Sequence, residues 1–261
     1  MWRPGCGRSN VWIADVHERK GQLVLHDLRR VQALPGDAIP FTRLAALLSG
    51  ASYLAAAIDA PFSVPAVHAS QGGHQALLSL VARMPCDGRP FPRASDFVQV
   101  VAGQAPPLLP PKPYRATEAH WIRQRINVRS TLWAGSRGGA PMTAACIRLL
   151  AQAGRPVWPW SHATPGLLVE AFPTAQLQRW GLPFTQYDGN GPTAVDTRRK
   201  ILDGIAQRIA LGEFQPTAAG SADALDAVVA AFAAVAVTKS ALGDPVRPIP
   251  AMTEGWIAVH A

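Results

Sequence analysis

The chain has 261 residues, of which 48% are hydrophobic and 16% charged; that balance excludes a disordered or coiled-coil protein and supplies enough apolar surface for a substantial core. Its formal charge of +8 raises the prior for a polyanionic partner and says nothing about fold. Cys6, Cys86 and Cys146 are odd in number, widely spaced and never in a C-x-x-C pair, which argues against a disulfide framework or a thiolate zinc centre and for reduced thiols in a cytoplasm.

The opening MWRPGCGRSN lacks the apolar core of a signal peptide, and the longest apolar run, Ala227 to Thr238, is too short to span a bilayer. A cytoplasmic protein with no membrane partner is expected. The runs NVWIADV and GQLVLHDL flank HERKG, whose Gly21 suits a tight turn, so the chain opens as an antiparallel hairpin. FTRLAALLSG is a short helix closed by Gly50. SYLAAAIDAPFSVP is a continuous apolar run of strand length ending at Asp59 and broken by Pro61 and Pro65, as in a central strand covered on both faces.

HQALLSLVARM reads as a helix; residues 85 to 117 then show little periodicity and read as a proline-rich excursion or lid. PMTAACIRLLAQAG is an amphipathic helix with Pro141 near its first turn and Gly154 at its end. RPVWPW is a short strand candidate, and GLLVEAFPTA repeats the earlier pattern of apolar run, acid and proline. Helices at TAVDTRRKILDGIAQRIA and SADALDAVVAAFAAVAV follow, with EGWIAVH as a closing edge strand. A hairpin followed by alternating strands and helices implies a mixed sheet flanked by helices.

Three carboxylate sites stand out against the apolar runs that carry them. Asp59 ends a core strand, Glu170 lies within another, and Asp223 and Asp226 sit three apart on a helix and so share a face. Ligand crevices in open α/β sheets lie beyond the carboxyl ends of strands, which lets these acids meet. Such hard oxygen ligands suit Mg²⁺ or Mn²⁺, ions that activate water and stabilise the leaving oxygen of a phosphodiester. Each acid also has a plainer role: Asp223 as a helix-end carboxylate, Asp226 as a solvent-facing side chain, Asp59 binding turn N–H groups and Glu170 in a buried pair with an arginine.

AAAIDAPFSVP, LVEAFPTAQL, DALDAVVAAFAA and EGWIAVH, in that order, resemble the predicted nucleases with an RNase-H-like fold known as domain of unknown function 429. The helix also looks like the last catalytic helix of RuvC-type resolvases, in which two aspartates at this spacing help hold a metal. The resemblance implies a single domain over residues 1–261, with a proline- and arginine-rich insertion near 85–139. It further implies a five-stranded mixed sheet whose first three strands are antiparallel. Asp59, Asp223 and Asp226 would then be metal ligands, and Glu170 a supporting ligand or base, in a nuclease dependent on Mg²⁺ or Mn²⁺. The match departs from the pattern at the first strand, whose aspartate is the principal ligand in RNase-H-like enzymes. No such strand precedes CGRSNVWIADV, so the first strand reads as missing or truncated, and the alternative function is a non-catalytic nucleic-acid- or protein-binding module of the same fold. Asp15 is a weaker substitute for the missing acid.

Lys112, Arg115, Arg123, Arg125, Arg129, Arg137, Arg148 and Arg155 are opposed in their stretch by Glu118 alone, with Trp121 and Trp133 interleaved. Arginines with aromatics can track phosphates and stack on bases, and Arg123, Arg125, Arg129 and Arg137 are the expected nucleic-acid contacts; a solvated surface over core tryptophans is the plainer reading. HASQGGH places His68, Ser70 and His74 together without the strand–turn–helix setting of a hydrolase elbow, and His162 is a possible proton shuttle or a surface histidine.

Overall fold

The computed structural model describes residues 11–69, 72–103, 113–135 and 138–261. It opens with the expected hairpin, β1 (Trp12–Arg19) antiparallel to β2 (Gln22–Arg30). Lys20 and Gly21 both take positive φ, at 51° and 80°, the turn geometry whose twist matches that of the flanking strands. A bulge between Asp15 and Val16 locally shifts the register. There follow α1 (Pro40–Ser49), β3 (Ala55–Ile58), α2 (Gly73–Arg83), α3 (Ala94–Ala102), α4 (Ala116–Arg123), α5 (Ala140–Ala153), β4 (Leu167–Glu170) and α6 (Pro173–Arg179). The chain continues through α7 (Pro192–Ile205), β5 (Ile209–Ala210), α8 (Gln215–Gly220), α9 (Ala222–Thr238) and α10 (Pro248–Glu254).

The result is a mixed α/β chain, but the described strands fall into two sheets. One runs β1-β2-β5, with β2 antiparallel to β1 and parallel to β5; the other is the parallel pair β3-β4, with Ile58 opposite Glu170. Side chains alternate between two apolar layers along a strand, which explains why β3 and the first three residues of β4 are all apolar. Ala56, Ile58 and Leu168 join a core with Leu48 of α1 and Ile147 and Leu150 of α5. Ala55, Ala57, Leu167 and Val169 turn the other way, onto Ala230 and Ala233 of α9. Helix α9 also covers the hairpin, where Ala14, Val16 and Leu25 pack with Leu225, Val228 and Phe232.

Three expectations are corrected. The proline-rich stretch holds a helix, α3, whose Phe97 and Val98 are fully enclosed in the α1–α5 core, so this part of the region is packed structure rather than a lid. RPVWPW yields only a parallel bridge between Val157 and Leu168, because Pro156 and Pro159 have no N–H to extend a ladder. EGWIAVH runs beside β4, with Ala258 N–H donating to the Glu170 carbonyl at 3.0 Å, yet forms only an isolated bridge from His260 to Leu242. Among the described residues no helix is long and apolar enough to cross a membrane.

Candidate active site

A pocket of about 570 Å³ opens between the two sheets, walled by β1, β3, α1, α5 and α9. Three of the carboxylates singled out in the sequence reach it from two elements. Asp59 follows directly on β3, where the strand turns toward Pro61; Asp223 and Asp226 project from the first turns of α9. That helix starts at Ser221, whose hydroxyl accepts from the Ala224 N–H at 3.3 Å and so fixes where the two aspartates fall on its surface.

Both Asp59 and Asp226 are only partly exposed, and their carboxyls hold their protons above the ordinary range. Burial raises Asp59 to about 6, with the negative charges of Asp223 and Glu170 adding to it. Burial, and then the neighbouring Asp59, raise Asp226 to about 8, while the Tyr187 hydroxyl works in the opposite direction. Asp226 is thus not a solvent-facing side chain: Tyr187 donates to its Oδ1 at 2.9 Å. The Tyr187 loop is in turn clamped by the buried Arg198, whose Nη1 donates to the carbonyls of Tyr187 at 2.5 Å and Gly189 at 2.8 Å. Neither Tyr187 nor Arg198 drew notice in the sequence, since what joins them to Asp226 is tertiary contact rather than local periodicity.

Glu170 is placed differently. It is 2% exposed and does not line the pocket; Arg115, 1% exposed, grips it with Nη1 on Oε2 at 2.8 Å and Nη2 on Oε1 at 2.5 Å, and the Phe62 N–H adds a third bond to Oε2 at 3.1 Å. With both oxygens engaged, the carboxylate that reads as a ligand or base in the sequence is a buried ion-pair member. Arg115 also donates from Nε to Glu118 at 3.0 Å, and Glu254 accepts from the N–H groups of Ala66 and Ala116. The network ties β4 to the start of α4 and the end of α10.

The basic stretch divides in the same way. Arg115 belongs to that buried network, Arg148 caps the end of α2 through the carbonyls of Val81 and Ala82, and Arg155 donates to the Pro165 carbonyl at 2.7 Å. Arg123, Arg125 and Arg129 are exposed but do not line the pocket, and Arg129 lies over the Trp133 ring at 4.8 Å. Trp121 is a core residue. Arg137, Lys112, Ser70 and Cys6 lie outside the described residues. Asp15 does line the pocket, within 3.3 Å of His17 Nε2. His74 is buried against Trp160 with ring centroids 3.6 Å apart and is pushed down to about 4 by burial; it and the exposed His162 do not line the pocket.

As a donor set for a divalent cation, the pocket offers hard carboxylate oxygens of the kind Mg²⁺ and Mn²⁺ take. Among the described residues no group of three or more histidine, cysteine, aspartate and glutamate side chains stands ready around one point. The fit is therefore to an ion held by one or two carboxylates, with its remaining positions filled by water and substrate, as is common for Mg²⁺.

Its strands and helices make the chain a mixed α/β protein. It belongs to the family described as protein of unknown function DUF429, whose model matches residues 7–253. No curated protein and no solved structure matches the chain.

Proposed function

We propose that the chain is a metal-dependent phosphodiester hydrolase, a nuclease of RNase-H-like fold, with Asp59 and Asp226 holding Mg²⁺ or Mn²⁺ and Asp223 completing the acidic end of the pocket. The observation that carries this reading is the meeting of the three aspartates in one pocket, where burial first, and neighbouring negative charge after it, raise the carboxyl pKa values of Asp59 and Asp226. Such a cluster is relieved by a proton or by a cation, and a cation adds chemistry. The order of elements supports the fold: an antiparallel hairpin, a parallel pair ending in an acid, and a late helix crossing both with two aspartates near its start.

The bound ion would supply charge neutralisation on the phosphate and activation of water. Asp226, which accepts from Tyr187 at Oδ1, would hold the ion as a carboxylate, so affinity would rise with pH toward 8. Glu170 and Arg115 fix β4 beside the end of β3 and touch no substrate. Arg123, Arg125 and Arg129 add surface charge for a nucleic-acid partner.

A second reading, a non-catalytic binding module, is favoured by the engagement of Glu170 with Arg115, which leaves the pocket one acid poorer. A melting series separates the two. With millimolar Mn²⁺ the wild type is expected to melt several degrees higher, Asp226→Asn to lose that response, and radiolabelled single- and double-stranded oligonucleotides to be cut only by the wild type with metal. Binding of oligonucleotide with neither a metal response nor cleavage would instead establish the module.

A further inference from the structure

Asp226 faces the pocket on one side and the protein on the other. Its Oδ1 accepts from the Tyr187 hydroxyl at 2.9 Å, and Tyr187 is buried and does not line the pocket. The hydroxyl thus reaches the carboxylate from behind the pocket wall. A phenol has one proton to donate. The Thr174 side chain, at the start of α6, bonds the same hydroxyl in the sense that favours negative charge on its oxygen, so Thr174 donates and the phenol proton is left for Asp226. This relay from Thr174 through Tyr187 ends on an acceptor, and an ionised carboxylate is the better acceptor. It is also the form that holds a cation.

Tyr187 lies between the end of α6 at Arg179 and the start of α7 at Pro192, in a stretch with no helix or strand to fix it. Arg198 of α7 supplies what regular structure does not. Its Nη1 donates to the carbonyls of Tyr187 at 2.5 Å and Gly189 at 2.8 Å, and its Nε to the carbonyl of Ala219 at 2.7 Å. Ala219 belongs to α8 and lies two residues before Ser221, which caps α9. One buried guanidinium therefore ties the segment that carries Tyr187 to the start of the helix that carries Asp226. The planar fork makes this possible, since an ammonium has no fixed set of directions with which to hold three carbonyls on two segments.

We propose, taking the pocket as the cation site argued above, that Tyr187 and Arg198 are its positioning residues: Tyr187 aims the Asp226 carboxylate at the ion, and Arg198 holds Tyr187 and the start of α9 in register. Neither touches the ion or a substrate. Such outer partners of a ligating carboxylate govern metal affinity by about tenfold to a hundredfold.

The test titrates Mn²⁺ alone into the whole chain at one pH above 8, where Asp226 is mainly ionised, and reads free Mn²⁺ by electron paramagnetic resonance. The wild type is expected to bind. Tyr187→Phe keeps the ring and removes only the hydroxyl, and its affinity should fall about tenfold or more. Arg198→Lys keeps the charge and removes the fork, and should lose affinity by a similar factor; Arg198→Gln, which retains a planar donor, takes its place if the lysine variant does not fold. Leu77→Ala, a truncation in the separate core around α2 and α5, should lower the melting temperature and leave Mn²⁺ affinity unchanged. Wild-type affinity in Tyr187→Phe overturns the proposal while the cation site stands, and wild-type affinity in the Arg198 variant overturns the part assigned to Arg198. Equal weakening in Leu77→Ala overturns both, since it would mark general loosening. No Mn²⁺ binding by the wild type sinks the cation site itself, and the proposal with it.

Discussion

In the folded chain Asp226 carries its proton up to about pH 8, against 3.8 for an ordinary aspartate. A carboxyl raised on folding stabilises most below its unfolded value, and that contribution is lost as pH rises through the folded one. The apo protein should therefore lose stability between about pH 4 and pH 8 on account of this group. The expected loss is on the order of 2–4 kcal/mol by pH 9. Asp226→Asn keeps an acceptor for Tyr187 and removes the ionisation, so its stability in urea should fall less over that range, and the difference from wild type is the quantity to measure. Parallel profiles would mean that the carboxylate ionises without penalty. Glu170 is the opposite case. Glu170→Gln breaks one of the buried Arg115 pairs and should cost about 3 kcal/mol or more in urea unfolding, with the Mn²⁺ response intact. A stable Glu170→Gln variant without that response would return this residue to the cation site.

At the level of single elements, α9 decides most. Its apolar residues are buried on several sides at once, against the hairpin, β3 and β4, which is why the helix reads as uniformly greasy. The start of the helix fixes the direction of its two aspartates. Ser221→Ala removes the cap on the Ala224 N–H and should cost about 1 kcal/mol. Asp223 occupies the first turn, where the helix dipole favours a carboxylate. Asp223→Ala should cost about 0.5–1 kcal/mol on that account alone. Measuring Mn²⁺-dependent melting on both variants separates the roles: the Ser221 variant should keep the full response, and a reduced response in the Asp223 variant marks a ligand.

Over the whole molecule, the +8 charge is partly spent on the fold, since Arg115, Arg148, Arg155 and Arg198 hold carboxylates or backbone carbonyls. Arg123 and Arg125 are exposed at the end of α4 and just beyond it. If those two each neutralise one phosphate of an oligonucleotide, affinity should fall by roughly tenfold between 50 and 200 mM salt. Fluorescence anisotropy across that range, repeated on an Arg123→Glu, Arg125→Glu variant, reads both the slope and its source. A flat salt profile would argue against a nucleic-acid partner.

The amino-acid sequence by itself determined the hairpin at Gly21, the short apolar strand before Asp59, the helices at FTRLAALLSG, PMTAACIRLLAQAG and SADALDAVVAAFAAVAV, and the acids that end or interrupt apolar runs. Those are local signals: turn chemistry, period and capping act over a few residues. Helix α3 escaped notice because prolines and polar residues on both sides of SDFVQVV blur so short a period. Only the tertiary structure decided that Asp59 and Asp226 share a pocket while Glu170, identical in local pattern to Asp59, is turned into a buried pair. The reason is physical. Asp59 lies one residue beyond β3, where the chain leaves the sheet, whereas Glu170 is the last residue of β4 opposite Ile58, within reach of an arginine 55 positions earlier. Likewise no local pattern could show that, among the described residues, β1 and β3 fall in separate sheets, because strand pairing is set by long-range packing against α9 rather than by either strand's own residues.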